Sequence, residues 1–131
     1  MARTARDIEA YLSQLGRRYE VLGDGTFAID SGSDSPAIAV RVSAPMVEVR
    51  VLIGEGPKDS PSAELALFRK MLQLNATELL FCSYGLVGTQ IVLGSALELE
   101  NLDLNELEAV IGDIDLALAR HVPLLRELSK V

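Results

Sequence analysis

Tryptophan is absent from this chain of 131 residues, and cysteine and histidine occur once each, as Cys82 and His121. A lone cysteine excludes an intramolecular disulfide and fits a reducing compartment. A lone histidine excludes multi-histidine metal centres, so no metal site and no cofactor is expected. Aromatic residues make up only 5% of the chain, so binding hot spots would be unusually aliphatic. No apolar run approaches the roughly 18–20 residues of a membrane helix. Gly85, Gly88, Thr89, Gln90 and Gly94 interrupt the longest such stretch, Glu78 to Leu99. Met1 to Asp7 lacks the apolar core of a signal peptide. The expectation is a cytoplasmic protein with no membrane partner.

Basic residues are also in deficit. Twelve Lys+Arg stand against 19 Asp+Glu, a net charge of −7. Phosphate backbones bind through Lys/Arg clusters, so no nucleic-acid partner is expected. Between Lys70 and Arg120 there is no Lys or Arg, whereas Glu78, Glu98, Glu100, Asp103, Glu106, Glu108, Asp113 and Asp115 all lie there. The plain reading is a solvated anionic face, and the sharper one is steering of a basic partner segment.

What the chain does have is enough apolar material, 49%, for one compact domain over residues 1–131. Thr4 with Asp7 forms a capping pattern, Ile8, Tyr11, Leu12 and Leu15 share a face, and Gly16 can end the helix, which predicts a first helix over about 5–15. Tyr19–Leu22 and Thr26–Ile29 flank a glycine-bearing loop and read as a hairpin. Ile38, Val40 and Val42, then Val47, Val49, Val51 and Ile53, alternate with polar or small residues, as in a sheet with one wet face. A symmetric turn around Ala44-Pro45 pairs residues whose numbers sum to 89, which sets Arg41 opposite Glu48 as a charge pair. Because Pro45 cannot supply positive φ, a loop wider than two residues is expected.

Ser60 and Pro61 open a second helix, which Asn75 is expected to close in the left-handed conformation. Leu79–Tyr84 and Gln90–Leu99 read as a hairpin turned around Gly85–Gly88. Asp103 and Glu106 then cap a long helix that Pro123 should kink or divide. The predicted class is α+β: an antiparallel sheet of about five strands with three helices, in the order α-β-β-β(-β)-α-β-β-α.

Apolar surface is in excess in the second half. Both faces of the later hairpin are apolar, helix two carries more than one apolar face, and Leu116 and Leu124 lie off the stripe of the last helix. Three helices cover one side of a small sheet. Covering the rest calls for a second copy of the chain, with a self-contained core strand as the alternative.

Chemistry-bearing motifs are few. His121 stands near a helix end, where interaction with the last carbonyls explains it without catalysis. Cys82 sits in an apolar strand, as an inert thiol would. Asp113 and Asp115 are separated by about 200° on a helix, so they diverge. The run Asp30 to Ser35 resembles a calcium loop, but Ser35 and Arg41 occupy the positions that need Gly and Glu. The residue pattern carries no sign of an enzyme.

The run Leu72-Gln73-Leu74-Asn75-Ala76, a glycine-turned apolar hairpin, and then Leu97, Leu99, Leu102 and Asp103 opening a long amphipathic helix together resemble the type III secretion chaperone-like fold. That group includes the CesT/Tir-chaperone class and the YbjN-type proteins. The resemblance implies a homodimeric, non-enzymatic protein that binds a protein or peptide partner over apolar patches and sheet edges. It further implies a dimer contact at Leu65, Phe68, Met71 and Leu72, and partner surfaces at Tyr11, Leu15, Phe81, Tyr84 and Ile91. The alternatives are a structural subunit of a larger complex and an enzyme using His121.

Overall fold

The computed structural model describes residues 1–32 and 35–129. The chain runs α1 (Ala5–Gln14), β1 (Tyr19–Gly23), β2 (Thr26–Ile29), β3 (Ile38–Ser43), β4 (Met46–Glu55), α2 (Pro61–Thr77), β5 (Ser83–Val87), β6 (Gln90–Glu98), α3 (Leu104–Arg120) and α4 (Val122–Ser129). All strands join one antiparallel six-stranded sheet in the order β1-β2-β3-β4-β6-β5. The class is therefore α+β as expected; the optional strand of the predicted order is present, and the long last helix is divided into α3 and α4. The calcium-loop comparison falls partly on Ser33 and Asp34, which lie outside the described residues.

Local signals explain most element ends. The Thr4 N–H donates to the Asp7 carboxylate at 2.8 Å and the Asp7 N–H to the Thr4 hydroxyl at 3.3 Å, which satisfies donors that the first helical turn leaves free. Ser60 accepts from the Ala63 N–H to open α2, and the Asp103 N–H donates to Glu106 ahead of α3. Pro123 falls at the second position of α4, and the break comes at His121. This divides the long helix because proline cannot donate the interior hydrogen bond to Ala119.

The β3–β4 register follows the sum of 89 at every pair, from Ile38 opposite Val51 to Ser43 opposite Met46. Two details differ. The loop has only two residues, Ala44 and Pro45, joined by a cis bond. Arg41 does face Glu48, yet among the described residues the two form no ion pair.

The later hairpin also shifts. Its turn is Gly88-Thr89, with Val87 paired to Gln90, so Gly85 lies inside β5 rather than in the loop. Leu79 to Cys82 is outside any strand. One face of the sheet, with Phe27, Ile29, Ile38, Val40, Val47, Val49, Val51, Ile91 and Leu93, packs with Ile8 and Leu12 of α1 and Leu107, Val110, Ile114 and Leu125 of α3 and α4 in a single core. The opposite face, including Ala39, Arg41, Arg50, Leu52 and Ala96, is exposed.

Candidate functional site

Helix α2 has two apolar faces with different fates. Leu67, Met71 and Leu74 are buried, a spacing of three and four residues that points one way. Leu65 and Leu72 face outward at 60% and 68% exposure. Phe68, half-buried, lies between these faces. The outward face holds a shallow groove of about 470 Å³ lined by Leu65, Phe68, Arg69, Leu72, Gln73 and Ala76. Phe68 and Leu72 also line a neighbouring hollow of about 220 Å³ whose other wall is Tyr84 and Leu86 of β5. An apolar surface thus runs from α2 to the edge of the sheet, where Leu86 is exposed.

The edge strand β5 is held by side chains from helices. Asn75 Oδ1 accepts the Tyr84 N–H at 2.7 Å, and Asn75 Nδ2 donates to the Tyr84 carbonyl at 3.2 Å. These backbone groups point away from β6, so Asn75 occupies part of the edge that an added strand would need. Asn75 is therefore not the left-handed end of α2, which continues to Thr77. Its amide is committed to the strand instead. Among the described residues no side chain guards the backbone of the opposite edge, β1, in this way, and Val21 and Leu22 are exposed there beside a register shift between Val21 and Gly23.

Ahead of β5, the Asp113 carboxylate of α3 accepts the backbone N–H groups of Leu80, Phe81 and Cys82 at 3.3, 2.9 and 2.9 Å. A carboxylate has lone pairs enough for this, and the bonds are charge-assisted. The loop so fixed turns Leu80 and Phe81 into solvent, at 81% and 55% exposure. Asp115 points elsewhere, as helical geometry requires, and pairs with Arg17 at 2.8 Å.

The titratable groups behind the edge are buried. Burial, with the nearby Asp113 charge, pushes the Cys82 thiol up to about 12, so it is a poor nucleophile near neutrality. The Tyr84 phenol is raised for the same reasons. Its hydroxyl meets His121 Nδ1 at 3.1 Å. Burial lowers the His121 pKa and so favours the neutral imidazole, with the Glu78 charge opposing the shift. Among the described residues no cluster of His, Cys, Asp or Glu could hold a metal ion, and no helix is long and apolar enough to cross a membrane.

The expected surface residues divide accordingly. Leu65 and Leu72 are exposed, and Phe68 is half-buried beside them. Met71 is corrected to a core position, 5% exposed, because the inward stripe of α2 claims it. Of the expected partner surface, Phe81 is exposed, while Tyr11 and Leu15 are half-buried against the core. Tyr11 also donates its hydroxyl to the Leu102 carbonyl. Tyr84 and Ile91 are core residues at 6% and 1% exposure, since they stand on the helix-covered face of β5 and β6. Asn75 and Asp113 were missed as the residues that shape the site. The only sequence signal was a polar residue interrupting an apolar helix face.

Comparison with known proteins places this geometry. No curated sequence matches the chain. Among solved structures, it is similar to a chain of the heterodimeric ExoU–SpcU complex from the type III secretion system of Pseudomonas aeruginosa, at TM-score 0.71 and 21% identity over 92% of this chain and 98% of that one. It is also similar to YbjN from E. coli, at TM-score 0.65 and 12% identity over 90% of each chain. A third likeness is to a chain of the HopA1–SchA chaperone–effector complex, at TM-score 0.57 and 15% identity over 93% of this chain and 89% of that one. These identities show a shared fold. The family model CesT_Tir_1 matches residues 1–131, and the chain belongs to that family.

Proposed function

We propose that the protein is a cytosolic, chaperone-like homodimer that binds a polypeptide partner and performs no catalysis. The observation that carries this reading is the apolar surface from Leu65 and Leu72 on α2, past Phe68, to Leu86 on β5. A second copy laid with α2 against α2 would cover that surface, and an isologous pairing is the commonest way to do so. The partner's extended segment would then use the unguarded β1 edge, with Tyr11, Leu15 and the Leu80–Phe81 loop as flanking apolar contacts. Membership of the CesT_Tir_1 family and likeness to a chain of a chaperone–effector complex support the same role. His121 has a structural task in holding Tyr84, which argues against an acid–base role.

Light scattering at micromolar concentration tests the dimer. The wild-type chain should show twice its monomer mass. Leu65→Glu with Leu72→Glu should give a monomer of unchanged circular dichroism, because both side chains lie outside the core. A wild-type monomer that binds no apolar dye would overturn the reading.

A further inference from the structure

The sheet face turned away from the helices carries a trough of about 310 Å³ above β6, walled by Glu48 and Arg50 of β4 on one side and by β5 on the other. Val92 lies on its floor, and Leu52, the cross-strand neighbour of Val92, extends the apolar end at 47% exposure. Gly94 keeps the middle clear beside Arg50, where a Cβ would stand 3.4 Å from the Arg50 Cβ. Among the described residues neither the Arg50 guanidinium nor the Glu48 carboxylate has an ion-pair partner.

Two features select the occupant. First, β4 and β6 are each paired on both sides, so this face offers no free backbone groups to an extended strand. A helix satisfies its own backbone and needs none. Second, Glu48 and Arg50 are two residues apart on one strand, hence on one face and about 6.8 Å apart. Residues four apart on a helix are separated by about 6 Å along its axis. Building on the protein-binding role above, we propose that the trough receives an amphipathic helix of the partner polypeptide, lying along β6. Its apolar stripe covers Val92 and Leu52, and its margin places an acidic side chain over Arg50 and a basic one, a turn away, over Glu48. The order of the two charges fixes the direction of the helix, because a reversed helix would carry them to the β5 wall.

Labelled amphipathic helical peptides with a common apolar stripe test this by fluorescence anisotropy. Their margins carry Glu then Lys, Lys then Glu, or Gln twice, one turn apart. The full chain should prefer one charged order over the Gln peptide by about fivefold, the scale of two partly exposed ion pairs. The exchange variant, Glu48→Arg with Arg50→Glu, should prefer the opposite order. If that variant fails to fold, Arg50→Gln should abolish the preference without loss of binding to the Gln peptide. Equal affinity for all three peptides, binding of none, or an unchanged order in the exchange variant would overturn the proposal. Light scattering separates this outcome from failure of the chaperone reading, since α2 and the dimer mass are untouched by changes on β4.

Discussion

Asn75 closes both backbone groups of Tyr84, accepting its N–H at 2.7 Å and donating to its carbonyl at 3.2 Å. One side chain of α2 thereby does for the end of the sheet what a neighbouring strand would do, and it ties the helix to β5 at a fixed height.

Removing that amide should loosen the edge without emptying the core. Asn75→Ala leaves an N–H and a C=O partly buried and unpaired, which costs about 1–3 kcal/mol. Urea unfolding should show a lower midpoint, and hydrogen exchange should quicken at Tyr84 while Val49 stays protected.

Two glycines should respond to alanine in opposite directions. A Cβ at Gly94 would stand 2.7 Å from the Val49 carbonyl oxygen, so Gly94→Ala should cost about 1–3 kcal/mol as β4 and β6 are forced apart. Gly112 lies inside α3 with open space around it. Gly112→Ala should therefore raise stability by about 0.5–1 kcal/mol through helix propensity alone. Thermal melts of the two variants should shift in opposite senses.

Stability should fall as pH drops below the ordinary histidine value of 6.5. Burial lowers the His121 pKa in the folded chain, so the unfolded chain takes up the proton first. The contribution of the neutral imidazole is complete above 6.5 and is lost as pH falls from there toward the folded value. Glu78 and Asp113 favour the charged form, whereas Arg120 and Lys70 oppose it. Chemical denaturation at several pH values between neutrality and about 5 should show this slope, and His121→Gln should flatten it.

Cys82 should resist thiol reagents in the native protein. With its thiol pushed up to about 12 and its side chain buried, labelling near neutral pH should proceed only through unfolding. Denaturant should then raise the labelling rate in step with the unfolded fraction, and fast labelling of the native chain would contradict the structure.

The alternation of Ile38, Val40 and Val42 with Val47, Val49 and Val51 made the β3–β4 register legible, because a one-residue slip would expose every valine. Thr4, Ser60 and Pro61 marked helix starts for equally local reasons. Asn75 is ambiguous in the sequence because asparagine signals both a helix end and a side chain that bonds backbone, and only the arrival of β5 decides between them. Leu79–Cys82 reads as strand from its apolar content, yet Asp113 takes its amides from a helix far along the chain. The excess of apolar surface was visible on α2, whereas its inner and outer faces were not distinguished. Periodicity shows that Met71 and Leu72 diverge but not which of them meets the sheet.

The contrast between a stoppered β5 and a β1 that no described side chain stoppers bears on how large an assembly can become. Were both margins open, one molecule's first strand could stack on the next molecule's fifth, and the series would have no natural end. With Asn75 in the way, that head-to-tail ribbon is frustrated at its first step.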